Sequence, residues 1–294
     1  MVVIVSCEKA TSPVDINQKK IMGPCSLKCD YNYNYGTYTP NITNKDDYLS
    51  LNYTGKSNPV KYNDLNYEVV DVRIYHSSLH QYNGVHAAGE ILIIHGGSGK
   101  NLIVSIPFQV GSKQDKGSEQ LGKVLSEAAT RTPTKTDSVT LSIGDFSLGN
   151  FIPDKKAFYS YTGTLPYTPC NGTYQYIVYS EENSLNISEK IYKKLKNITQ
   201  SVTTPVKTNN VFYNKKGANL GNKADDIYID CQPVGSDGQL LVNESISADS
   251  MGGGDVNMEK LEPLLWVIVA IIGAVAISKG IEYVLNHFKK NKSN

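Results

Sequence analysis

At 294 residues the chain is long enough for one large domain plus a tail, and a formal net charge of +1 excludes the broad basic field that non-specific nucleic-acid binding uses. The residues after Pro263 carry a net +3 (Lys279, Lys289, Lys290 and Lys292 against Glu282), which leaves about −2 for residues 1–263. Twenty tyrosines, with frequent Asn, Lys and Thr, suit a β-rich body.

Residues 1–30 read as an irregular arm holding Cys7, Cys25 and Cys29; Cys170 and Cys231 lie further on. The C-x3-C spacing of Cys25 and Cys29 leaves a local bridge, a metal pair or no role open, and five cysteines leave an odd thiol. A zinc knuckle would need two more ligands at suitable spacing, and none is evident. Met1–Cys7 has no basic n-region and is too short for a signal core. Asp47–Tyr53 alternates like a half-buried strand; Tyr67–His76, Glu90–His95, Leu102–Val110 and Tyr174–Ser180 also read as strands. Asp115–Thr130 has helical spacing, with Leu121, Val124 and Leu125 on one side. Ser188–Ile198 reads as a helix capped by Ser188, with Glu in its first turn and Ile191, Leu195 and Ile198 as its apolar face. Its other face bears Lys190, Lys193, Lys194 and Lys196, a pattern that is usually a solvated face. Residues 200–234 are the least readable.

The end of the chain predicts a membrane anchor. Residues 235–262 form a Gly-, Ser- and Asp-rich linker, 263–285 the anchor and 286–294 a basic tail, after a main domain of residues 1–234. The apolar run Leu264–Ile277 with Ser278 spans only about 22 Å as a helix; continuing to Leu285 gives about 33 Å, enough for the hydrocarbon core. Trp266 and Tyr283 sit near the two ends, where interfacial aromatics belong. The missing signal predicts that the domain stays on the cytosolic side during assembly and so on the particle's outer face; the Lys-rich tail argues the opposite orientation, but a short tail can cross despite its charge. Six Asn-x-Ser/Thr triplets precede the anchor, at Asn41, Asn52, Asn171, Asn186, Asn197 and Asn243; they are expected by chance in so Asn-rich a chain and stay bare in the first orientation.

Four strings in order carry a family resemblance: S-P-V-D-I at Ser12–Ile16, L-H-Q-Y-N-G at Leu79–Gly84, E-I-L-I-I-H at Glu90–His95 and Y-T-G-T-L-P-Y-T-P-C at Tyr161–Cys170. Phe108–Gly111, Leu121–Leu125, Ile152, Pro153 and Phe158–Tyr161 agree as well. Over roughly residues 7–200 the chain resembles the α-carbonic anhydrases. The resemblance implies a mainly β (α+β) fold, a large twisted and mostly antiparallel sheet with a few surface helices, followed here by a transmembrane helix. It also implies a Cys7–Cys170 disulfide, as in secreted members.

Members of that family hydrate CO2 with a zinc held by three neutral imidazoles, two from a His-x-His strand and one from the neighbouring strand. Matching the strings puts those ligands at His80, Tyr82 and Leu92. Leu92 cannot bind metal, and a neutral phenol is a poor substitute. The Thr that orients the zinc-bound hydroxide falls at Pro166, with Thr168 one slip away. Glu90 keeps the outer carboxylate, and no His precedes His76 to shuttle protons. The expectation is a vestigial pocket with no metal, no cofactor and no enzyme activity. A site rebuilt from His76, His80, His86 and His95 is the competing reading.

A dead zinc site, a C-terminal anchor and the string S-S-L-H-x-Y-x-G (Ser77–Gly84) resemble the carbonic anhydrase-like virion membrane proteins of poxviruses and other large DNA viruses, which attach to host glycosaminoglycan. That predicts a particle-surface protein with a host glycan or other virion proteins as partners, no nucleic acid, and Arg73, Lys190, Lys193, Lys194 and Lys196 as the basic candidates. The alternatives are a structural protein linking membrane and capsid, and an active hydratase.

Overall fold

The apolar run of Gly89–Gly97 has no polar alternation because both faces of that strand are buried, and this strand organises the domain. The computed structural model describes residues 2–218 other than 5, 6, 8, 26–28 and 98. The strands are β1 (Val2–Ile4), β2 (Asp15–Ile16), β3 (Ile21–Pro24), β4 (Tyr31–Tyr33), β5 (Asn41–Asn44), β6 (Leu49–Leu51), β7 (Val60–Tyr62), β8 (Leu65–Tyr75), β9 (Gln81–Tyr82), β10 (Val85–His86), β11 (Gly89–Gly97) and β12 (Lys100–Val110). After helix α1 (Lys116–Arg131) come β13 (Ser138–Thr140), β14 (Phe158–Gly163), β15 (Tyr174–Tyr179) and β16 (Leu185–Ile187). Helix α2 (Glu189–Ile198), β17 (Ser201–Thr203) and β18 (Val211–Asn214) complete the described chain.

The main sheet runs β13-β5-β6-β8-β11-β12-β15-β14-β18-β3, with β16 on β12 and β7 joining β4 to β8. Most of its ladders are antiparallel, but β12/β15, β12/β16 and β18/β3 are parallel, so the sheet is mixed. Two small sheets stand apart: β1 with β17, and β10-β9-β2.

Successive residues of β11 feed two cores. Ile91 and Ile93 point into one with Leu121, Val124 and Leu125 of α1; Leu92 joins Tyr75, Tyr161 and Tyr176 in the other. Helix α1 forms where its spacing predicts, capped by Asp115, whose side chain accepts from the Ser118 amide at 2.8 Å. Helix α2 likewise starts at Ser188, buries Leu195 and turns its lysines outward. Cys7 pairs with Cys170 and Cys25 with Cys29, each with Cα atoms 5.9 Å apart. The first bridge ties the N-terminal arm to the loop after β14 across 163 residues. It therefore removes much loop entropy from the unfolded chain, on the order of 2–5 kcal/mol. No helix among the described residues is long and apolar enough to cross a membrane. The linker, anchor and tail at 235–294, with Cys231 and Asn243, lie outside the described residues.

Candidate functional site

Pairing, rather than string matching, decides which side chains stand around Leu92. Across β8/β11 the partner of Leu92 is Arg73, and the partner of Glu90 is Tyr75. Across β11/β12 the partner of Leu92 is Ser105. Arg73 and Tyr75 are two apart on one strand and so share a face, the face that also carries Leu92. The placement of the two remaining ligand positions at His80 and Tyr82 is therefore corrected. Those residues lie at β9, which pairs with β10 and β2 and not with β11. The reason is the turn that follows them: Asn83 and Gly84 both have positive φ (52° and 82°) and close a two-residue hairpin between Tyr82 and Val85. The strand neighbouring Leu92 with an x-spaced pair on the cleft face is β8, and its pair is Arg73 and Tyr75.

Arg73 is built into this floor. Its Nε donates to Asp71 at 2.6 Å and its Nη1 to the Tyr75 hydroxyl at 3.3 Å. The guanidinium carbon lies 3.7 Å from the ring centre of Tyr167 and 4.3 Å from that of Tyr48, so an aromatic ring covers the guanidinium from each of two loops. Only 17% of the side chain is exposed. Burial works against its charge, but Tyr75, Tyr167 and the Asp71 carboxylate outweigh burial and hold the pKa above the ordinary guanidinium value. Burial pushes the Tyr75 phenol far up, so it stays protonated. Arg73 is consequently withdrawn from the basic residues expected to face a ligand: its charge is already used inside the domain.

His80 has a different task from the one the strings suggested. It is fully buried, donates Nδ1–H to Glu90 Oε1 at 2.5 Å and meets the Tyr161 hydroxyl with Nε2 at 2.7 Å. Both ring nitrogens are engaged, which leaves no lone pair for an ion. Glu90 also accepts from the backbone N–H groups of Leu79 (2.7 Å) and His80 (3.1 Å) and from the Ser105 hydroxyl. Burial opposes its ionisation, yet the charge and hydrogen bond of His80, with the Ser105 and backbone bonds, hold it below the usual carboxylate range. Glu90 thus fixes the 79–80 segment to β11 and β12, a role not visible in the sequence. Burial and the nearby Glu90 charge push the Tyr82 phenol well up. Replacing the carboxylate by an amide, E90Q, puts an N–H group among donors; stability in urea should fall by about 3 kcal/mol. An unchanged unfolding midpoint would show that these bonds do not hold the segment.

The remaining predicted positions resolve as follows. Pro166 is buried, and its carbonyl accepts from Thr204 at 3.4 Å. Thr168 is exposed, so the slip that would bring its hydroxyl into the pocket does not occur; the residue that enters is Tyr167, which string matching overlooked. The other described histidines are bonded within the domain: His76 to Thr199 (2.8 Å), His86 to the Ser78 carbonyl (2.7 Å), and His95 to the Tyr35 hydroxyl (2.9 Å) and the Leu102 carbonyl (3.3 Å). Lys190, Lys193 and Lys196 are exposed and Lys194 is partly so. Lys193 approaches Glu189 at 3.5 Å, and Lys196 lies 5.3 Å from the centre of the Tyr192 ring.

A catalytic zinc of the type the fold accommodates needs three uncharged nitrogen donors and an open position for water. The three positions hold a guanidinium with no lone pair and a permanent charge, a protonated phenol and a hydrocarbon. These residues do not fit the ion. Among the described residues no three His, Cys, Asp or Glu side chains come together as a metal-donor group.

Comparison with known proteins places the architecture. Residues 4–215 match the family model described as eukaryotic-type carbonic anhydrase. Among solved structures, an α-carbonic anhydrase from Photobacterium profundum is similar with a TM-score of 0.60 at 18% identity, covering 71% of this chain and 90% of that one. The α-carbonic anhydrase of Thermovibrio ammonificans in complex with sulfanilamide gives 0.58 at 20% identity, over 70% and 87% of the two chains. Dioscorin complexed with ascorbate gives 0.58 at 18% identity, over 71% and 87%. Comparison with curated proteins returns no match.

Proposed function

The chain belongs to the eukaryotic-type carbonic anhydrase family, and on that premise we propose that it keeps the family's sheet without its zinc chemistry and works by recognition. In this reading it is a membrane-anchored protein of a large-DNA-virus particle that binds an anionic glycan of the glycosaminoglycan type on the host surface. The observation that carries the proposed loss of hydration is that Arg73, Tyr75 and Leu92 occupy the shared face of β8 and β11. No hydroxide can be generated there without a metal or a free base, and the two nearby carboxylates are committed: Glu90 to His80, Leu79 and Ser105, and Asp71 to Arg73.

The anchor reading is supported by the uncharged stretch from Leu264 to Ser278 and the Lys-rich end. The glycan reading is supported by the exposed lysines of α2. Lys190, Lys193, Lys194 and Lys196 present four cations within two helical turns, on a helix whose apolar face is occupied by the core. A sulfated polymer meeting such a row gains several weak contacts at once, and salt screens them.

The test is retention of the full chain on heparin and chondroitin sulfate columns. Salt-dependent retention that is lost in K190S/K193S/K194S/K196S is the expected result, and passage of the unaltered chain through both columns at low salt would sink the glycan reading. Elemental analysis and a CO2-hydration assay test the other half: one zinc per chain with turnover would overturn it.

A further inference from the structure

We propose that this domain folds in an oxidising, glycan-transferring compartment and carries N-linked oligosaccharides on Asn52 and Asn171. The observations are independent of the cleft. Two disulfides close within the described residues, Cys7–Cys170 and Cys25–Cys29. Each requires two protons and two electrons to leave a thiol pair for an oxidant, which thiol oxidants supply in secretory compartments and reducing cytosol resists. The end of the chain agrees: Lys289, Lys290 and Lys292 after the apolar stretch favour a cytosolic tail, which puts the domain on the opposite side of the membrane.

The fold then sorts the glycosylation triplets by geometry. Asn171 is exposed together with Gly172 and Thr173, in the turn that follows the disulfide-bonded Cys170. Asn52 is exposed and its Oδ1 accepts from the Asn41 amide at 2.6 Å, a bond that leaves the Nδ2 side available. Asn41 is otherwise committed: its Nδ2 donates to Thr140 (3.4 Å) and its Oδ1 accepts from Ser138 (2.6 Å). Asn186 donates its Nδ2 to the Ser184 carbonyl (3.3 Å) and packs its amide where a side chain on Gly111 would stand, so an oligosaccharide there would prevent native packing. Asn197 is exposed, but it follows Lys193 and Lys194 on α2, where a glycan would cover the face assigned to the ligand; its exclusion rests on the glycan-binding reading, as the orientation of the tail rests on the anchor reading.

The chemistry is a substitution at the sugar. Asn Nδ2 bonds the anomeric carbon of a polyprenyl-diphosphate-linked oligosaccharide, the diphosphate leaves with the electrons of the broken C–O bond, and one amide proton is lost. Two glycans beside Cys170 and beside β6 would shield loops that the lysine face does not use.

The experiment takes the full chain expressed with its anchor in eukaryotic cells and treats it with peptide N-glycosidase in heavy-oxygen water, followed by peptide mass spectrometry. Label at Asn52 and Asn171, with Asn41 and Asn186 unlabelled, is the expected pattern. T54A and T173A change exposed residues and should each remove one step of gel mobility without altering column retention. Absence of label at both positions, label at Asn186, or digestion of the domain by protease added outside sealed microsomes would each overturn the proposal. None of these outcomes bears on whether the cleft binds zinc or whether α2 binds sulfated glycan, so the two readings fail separately.

Discussion

R73H/Y75H/L92H is expected to bind one zinc ion per chain, whereas Y82H together with L92H is expected to bind none. The two designs differ only in which strand is taken as the neighbour of Leu92. Arg73 faces Leu92 directly across β8/β11, and Tyr75 lies one pleat further along the same face. Directly opposed residues on antiparallel strands have Cα atoms about 4.5–5.5 Å apart, and i, i+2 residues lie about 6.5–7 Å apart, a spacing that lets three imidazoles converge. His80, by contrast, is already saturated by Glu90 and Tyr161 and sits outside the main sheet. Zinc at about 1,000 times its Kd should stabilise the triple variant by about 4 kcal/mol, since it binds only the folded chain, and should leave the unaltered chain unmoved. Calorimetric titration and melting with and without zinc make the measurement. Zinc bound by the Y82H/L92H chain and not by the triple variant would show that β8 is not the ligand strand. The same substitutions remove the cation between Tyr48 and Tyr167, so the metal-free triple variant should melt below the unaltered chain and recover with zinc: guanidinium and ion would then be interchangeable as the charge that gathers these loops.

Acid should unfold this domain early. Burial lowers the pKa of His95 to about 3, against the opposing effect of its hydrogen bond to the Leu102 carbonyl. Burial, aided by the Lys196 charge, lowers that of His76 to about 4. Both are neutral in the folded state at pH 6 and take a proton near 6.5 once unfolded. Between pH 6.5 and roughly 3–4 the unfolded chain therefore binds more protons than the folded one. The stability these two groups support is present above pH 6.5, falls as pH drops through that window and levels off below it. The two sites together amount to about 5 kcal/mol lost between pH 7 and pH 4.5, a large part of a typical domain's stability. Urea unfolding across that range checks the slope, with H95Q as the reference: a curve as steep as that of the unaltered chain would remove His95 from the explanation. Glu90, held low, adds its own loss only below the usual carboxylate range.

Strand β8 and the segment after it show where sequence reading holds and where it stops. The strand over Tyr67–His76 was legible in the sequence, but that Arg73 and Tyr75 of this strand stand opposite Leu92 and Glu90 was not. The L-H-Q-Y-N-G string competes with that strand because it carries His80 where the family's string has its first histidine. Its Asn-Gly pair was the signal against it, since that dipeptide closes a hairpin and ends a strand. The parallel β12/β15 ladder and the stacking of Tyr161 on Tyr176, with ring centres 4.3 Å apart, had no local mark at all.

Elements with a clear local pattern were determined by the sequence alone: α1 and α2, each with one apolar face, the β11 run, apolar on both faces, and the Leu at position 92 that no ion can use. Those depend on periodicity and on what a side chain contains, both local properties. The neighbour of Leu92, the burial of Arg73 between Tyr48 and Tyr167, and the diversion of His80 to Glu90 were decided only by the tertiary structure. Each depends on which distant strand supplies the hydrogen-bonding edge, and that choice is made by the packing of two cores at once, not by any stretch of chain read on its own.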